Sequence, residues 1–295
     1  MVRGGGMDNL VLAESPHPDG PPDPAAHPGT VQSKPLYLGF VNQKGGVGKS
    51  TLAGIVCSML CYEYGVRLLA LDCDGAQGSL AHLRKRDQAY LSTDEEFSQR
   101  LAAQHERLMV QAYPVEQVHA SGALNLVKDF EHDASCPGVD LVAFDFPGYL
   151  SDPQILDLAL RMDYILFPVE PSMQSMQSSM INLDLLYAHG VRVPSEALRD
   201  VLVVWNKVDR RVSSLLIDFY SAELGRRAYT LLPSVVYASQ SFRSELSTHG
   251  PRGAFLCTLL SPPRAARKSL GVDELVGEIV ARLNLPVRIG RDMLN

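Results

Sequence analysis

Short apolar runs recur along the chain, and each is followed by a longer stretch where apolar and polar positions mix. Leu36 to Val41 is one such run. A glycine-rich turn closes it, and it reads as a buried strand. Ser50 to Tyr64 has helical content without proline, and Gly65 ends it. Val66 to Leu71 is a second apolar run, ending at Asp72. Strand, helix and strand at this spacing predict a βαβ unit with parallel strands and a right-handed crossover. Further strands are expected at Met109 to Gln111, Asp140 to Phe144, Tyr164 to Pro168, Val201 to Trp205 and Ala228 to Leu232. Helical stretches fall at Pro153 to Leu160, Gln174 to His189, Ser213 to Gly225 and Val272 to Leu283. Buried strands alternating with helices predict an α/β fold: a single domain, a mostly parallel sheet and helices on both faces. Residues 84–135 begin polar and helical, and are expected to be an excursion beyond the sheet edges.

Composition changes this picture at one end. Residues 1–33 are rich in Gly and Pro and lack apolar periodicity, so they read as a disordered leader to a domain spanning 34–295. The 27 Lys and Arg against 33 Asp and Glu leave a net charge of -6. That excludes a strongly basic nucleic-acid binder as a description of the whole chain, though not a local basic patch. The five cysteines form no disulfide framework and read as buried thiols in a reduced compartment. With no transmembrane run and no secretory signal, the expectation is a cytoplasmic protein without a stable membrane anchor.

The strongest local signal is Lys44-Gly45-Gly46-Val47-Gly48-Lys49-Ser50-Thr51, between the first strand and the first helix. Glycines let backbone N–H groups converge on phosphate oxygens, and the helix start points its unpaired N–H groups and positive dipole end at the same anion. Lys49 is expected to reach the β and γ phosphates, and the Ser50 hydroxyl to ligate Mg²⁺. Thr51 could serve the α phosphate or make a helix N-terminal hydrogen bond. The standard motif carries Gly where this chain has Gln43. Leu141 to Asp145 is an apolar strand ending in a carboxylate, which reads as a Walker-B element with Asp145 holding Mg²⁺ through a water.

This loop resembles the deviant phosphate loop of the ParA/MinD family of ATPases. The resemblance implies a nucleotide-sandwich homodimer formed on ATP binding, slow hydrolysis, and a role in DNA partition or the positioning of other cargo. It implies that Lys44 reaches the partner subunit's nucleotide. Asp72-Cys73-Asp74 follows the second strand; the resemblance assigns Asp74 to the attacking water and Asp72 to the Mg²⁺ side. From the residues alone, two acids at a strand end also serve as a helix cap. The family commonly continues Asp-x-Asp-Pro-Gln-Gly, whereas this chain runs Asp74-Gly75-Ala76-Gln77-Gly78.

Two readings compete at Asn206-Lys207-Val208-Asp209. It resembles the guanine-reading motif of GTPases, with Asp209 accepting from the base. The ParA/MinD resemblance instead assigns Asn206 to the adenine edge, with Pro233 beside it, and the rest of the chain favours ATP. Arg210 and Arg211, and the cluster Arg264, Arg267 and Lys268, are candidate contacts for non-specific double-stranded DNA, implying possible nucleoid association. An adaptor or activating partner protein is implied. The alternative reading is a nucleotide-switched scaffold that recruits protein cargo and binds no DNA.

Overall fold

Apolar residues alternate their facing along the central strands, so the sheet carries a core on each side. The computed structural model describes residues 34–42, 46–75, 77–133, 138–194, 196–211, 214–239 and 256–289. The expected leader, Lys44, Gly45 and Cys136 lie outside the described residues. The strands are β1 (Leu36–Phe40), β2 (Leu68–Asp72), β3 (Val115–Gln117), β4 (Leu141–Asp145), β5 (Tyr164–Val169), β6 (Asp200–Val208) and β7 (Thr230–Tyr237). They form one sheet in the order β3-β2-β4-β1-β5-β6-β7, and every pairing is parallel. The expected α/β architecture is the one observed.

The helices are α1 (Lys49–Tyr64), α2 (Ser79–Thr93), α3 (Glu95–Leu108), α4 (Ala123–His132), α5 (Pro153–Leu160), α6 (Met173–Leu186), α7 (Ser214–Arg226), α8 (Arg264–Leu270) and α9 (Val272–Leu283). Leu38, Phe40, Ala70 and Ala143 face α1 and α9 on one side of the sheet. Tyr37, Leu71, Phe144, Phe167 and Trp205 face α5, α6 and α7 on the other. The helix α1 is buried nearly all round, from Leu52 through Glu63. Its outer side is covered by Leu275, Val276 and Ile279 of α9. Beyond α9, Arg288 N–H donates to the Tyr64 carbonyl at 2.9 Å. The Arg288 and Arg67 guanidiniums both grip Asp140 just before β4. Burial opposes charge on Asp140, but these arginines hold its carboxyl below its usual range.

Three expected boundaries move. No strand forms at Met109 to Gln111: Met109 takes a left-handed conformation that ends α3 and is 79% exposed. The edge strand forms instead after Pro114, where Val115 to Gln117 pair with β2. Within this span only Val115–Gln117 joins the sheet; most of the remaining described residues are helical. The last strand runs through Pro233 instead of stopping before it. Proline lacks the N–H a central ladder needs, but β7 is the sheet's edge and its pairing with β6 slips between Leu231 and Val235.

Candidate functional site

The C-terminal ends of β1, β2, β4, β5 and β6 lie side by side, the edge at which open parallel sheets bind ligands. The helix α1 starts there. Gly48 is its N-cap at φ 84°, no side chain caps the helix, and no acidic residue sits in its first turn. The N-cap thus gives the first N–H groups of the helix no side-chain partner, an arrangement that favours an anion there. Gly46 is also left-handed, at φ 81°. Asn42 sits before the loop, buried, and its amide donates to the Pro168 carbonyl at 2.6 Å, tying the loop to β5.

Lys49 and Asp145 meet at this edge. Lys49 Nζ lies 3.2 Å from Asp145 Oδ1. Asp145 is 2% exposed, and its Oδ2 has no hydrogen-bond partner among the described residues. Burial pushes its carboxyl above the usual carboxylate range; Lys49 and a hydrogen bond from Ser50 oppose the rise, and the charge of Asp72 adds to it. A buried carboxylate oxygen without a partner is costly unless a cation or donor completes it. Asp145 and the Ser50 hydroxyl thus fit a hard divalent cation such as Mg²⁺. Among the described residues no group of three or more His, Cys, Asp or Glu is arranged to hold a metal. Mg²⁺ fits that pattern, since it takes one or two protein oxygens and completes its shell with waters and phosphates.

The two acids after β2 differ. Asp72 is fully buried, and its Oδ2 accepts from the N–H groups of Leu80 at 2.8 Å and Ala81 at 3.0 Å. Its Oδ1 accepts from the Asp74 N–H at 3.2 Å. Asp72 thus ties the end of β2 to the first turn of α2, and its charge acts on Asp145. Asp74 is half-buried at the sheet edge, and its Oδ1 accepts from the Gln77 N–H at 2.9 Å. That bond closes the loop that departs from the family pattern.

The β6 end packs on the phosphate loop. The Asn206 amide donates to the Val47 carbonyl at 2.7 Å. One of its two amide N–H groups is thus engaged by the loop. Lys207 contacts the Gly46 carbonyl and forms an ion pair with Glu170 at 3.2 Å. Sequence reasoning missed Asn42, Glu170 and this use of Lys207; for Lys207 the available signal was its place in Asn-Lys-x-Asp. Asp209 is bound by Arg211, whose backbone N–H and guanidinium hold its carboxyl down to about 2. Pro233 is exposed on the edge strand.

The candidate DNA cations differ in their surroundings. Arg267 turns inward, 2.8 Å from buried Glu63 on α1, and its side chain is 12% exposed. Arg210 stacks on the Tyr237 ring, 3.8 Å from its centroid, and donates to the Ser269 carbonyl. Arg264 and Lys268 lie on the exposed side of α8. Arg267 is drawn in by the buried Glu63 carboxylate, while Arg264 and Lys268 of the same helix stay exposed.

The family described as the CobQ/CobB/MinD/ParA nucleotide binding domain matches residues 38–249. Among solved structures, the chain is similar to a plasmid partition protein of Borrelia burgdorferi bound to AMPPNP. The identity is 16% over 84% of this chain and 99% of that one, with a TM-score of 0.53. It is also similar to the MinD cell division protein of Aquifex aeolicus, at 13% identity over 84% and 96% of the two chains, with a TM-score of 0.52. At these identities the likeness is one of fold. No curated protein matches the chain.

Proposed function

Because the chain belongs to the CobQ/CobB/MinD/ParA family of deviant Walker-A P-loop ATPases, we propose that it is an ATP-driven switch. It binds ATP with Mg²⁺, pairs with a second copy across the nucleotide, and separates after slow hydrolysis. The observation that carries this reading is the Lys49–Asp145 pair with its unpartnered carboxylate oxygen, set at the uncapped start of α1.

In this reading Gly45, Gly46, Val47 and Gly48 present backbone N–H groups to the phosphates, and Ser50 and Thr51 line the same anion. Lys49 moves from Asp145 toward the β and γ oxygens. Asp145 and Ser50 hold the Mg²⁺, which offsets charge on those oxygens when bound. Asp74 orients the water for in-line displacement. Asn206 and Pro233 flank the adenine, and Lys44 completes the partner subunit's site.

The test is a titration of ATP and GTP with and without Mg²⁺, read beside sedimentation mass and phosphate release. Lys49→Ala should weaken ATP by about 1.5–3 kcal/mol, the range for a hydrogen bond to a charged group. Lys44→Ala should keep ATP and lose the dimer. Asp74→Ala should keep both and release no phosphate. Normal dimerisation by the Lys44→Ala protein with ATP bound would reject the sandwich. Tighter GTP than ATP, lost in Asp209→Ala, would make the protein a GTPase.

For the output of the switch, the resemblance supports DNA partition with an adaptor protein. A second reading is favoured by the inward Arg267 and the stacked Arg210: a scaffold that recruits protein and binds no DNA.

A further inference from the structure

We infer that Lys207 and Glu170 act as a brace that sets the shape of the phosphate loop, so that Lys207 is a positioning residue for the triphosphate rather than a reader of the base. The inference rests on the ATP-site reading above and adds two residues to it.

Four observations converge on Lys207. It takes φ 54°, a left-handed conformation that L side chains adopt only at a cost. It lies where the β6–β7 pairing slips between Trp205 and Val208, and such a bulge re-aims a side chain out of the ladder. The re-aimed ammonium meets the Gly46 carbonyl, inside the loop, and the Glu170 carboxylate at 3.2 Å, just past β5. Its stem lies so close to Gly48 that a Cβ there would come within 3.1 Å of Lys207 Cε.

These contacts have one effect. A carbonyl held by an ammonium points away from the space its own peptide's N–H group faces. Fixing the Gly46 carbonyl against β6 therefore turns the next N–H, that of Val47, toward the anion side. The Val47 carbonyl is fixed in the same way by Asn206. Two consecutive carbonyls are thus drawn to β6. The N–H groups of a glycine loop would otherwise have to be ordered when the ligand arrives, which lowers affinity. Glu170 keeps the ammonium aimed.

The brace acts on phosphates, so its ligand probe is inorganic tripolyphosphate, compared with ATP and GTP by calorimetric titration of the full chain. Lys207→Met should weaken all three by the same factor, about tenfold, as for removal of one charge-assisted hydrogen bond. Lys207→Arg should restore part of it. Glu170→Gln should weaken tripolyphosphate less, and the double variant should bind no more weakly than Lys207→Met alone. Lys207→Gly separates positioning from general damage. It relieves the left-handed strain, so the nucleotide-free protein should melt no lower than wild type, yet tripolyphosphate affinity should still fall. Unchanged tripolyphosphate affinity in Lys207→Met or Lys207→Gly, or a loss confined to one purine, overturns the brace while leaving the ATP site standing. Failure of the wild-type protein to bind any triphosphate takes down both.

Discussion

At Asp145, burial and an unfilled hydrogen-bonding position act on one carboxylate. Because burial raises its pKa, the folded protein holds this proton more tightly than the unfolded chain does. The stability that goes with the proton is present below the ordinary carboxylate pKa and is lost as pH rises through the raised value. Cation binding needs the ionised form. Mg²⁺-dependent ATP affinity should therefore rise with pH across that window, and Asp145→Asn should flatten the rise; calorimetry across the weakly acidic range checks both. Lys49, Ser50 and Asp145 were legible in the sequence because their spacing within strand–loop–helix and at a strand end fixes where they go. For Asp72 the residues left two readings open, because a strand-end acid looks the same whether it faces a metal or the next helix; its bonds to the start of α2 depend on where that helix begins in space.

Elements were legible where a helix or strand is long and apolar, and less so at the margins. Pro153 to Leu160 is the helix expected, started by the Asp152 side chain and a proline in the first turn. The three-residue β3 carries too little pattern to be distinguished from the apolar Leu108 to Val110 nearby, and only its pairing with Ala70 to Asp72 makes it a strand. The tie from Asp72 to α2 gives a direct test. Asp72→Ala leaves two buried N–H groups unpaired and should destabilise the protein by about 1–3 kcal/mol, read by denaturant unfolding. The Arg267–Glu63 pair between α8 and α1 gives another. Arg267→Met strands Glu63 without its cation and should cost about 3–5 kcal/mol, whereas Glu63→Gln with Arg267→Met should recover most of that deficit. Equal destabilisation by the single and double variants would show that the pair carries no such coupling.

For the whole molecule, the parallel sheet followed from apolar strands alternating with helices, but the order of its strands did not. The placement of β1 between β4 and β5 comes from tertiary packing, which no local pattern encodes. Charge behaves in the same way: of three basic residues close in sequence, Arg267 is held inward by Glu63 while Arg264 and Lys268 stay exposed. That bears on the DNA reading. If the ATP-bound dimer holds duplex DNA through Arg264 and Lys268, replacing both with Ala should reduce the slope of log affinity against log salt by about 0.9 for each phosphate no longer neutralised. Anisotropy of a labelled duplex with the Asp74→Ala protein and ATP reads this, and absence of binding at low salt favours the scaffold. The cover that α9 lays on α1 has a consequence in time. Synthesis runs from the N-terminus, so the phosphate loop and its helix leave the ribosome long before the residues that bury them. Until α9 emerges and Arg288 reaches the Tyr64 carbonyl, α1 has an apolar side facing water and the loop is mounted on an unsupported helix. Under the proposed function, a nascent chain is therefore expected to become nucleotide-competent only once α9 has been made.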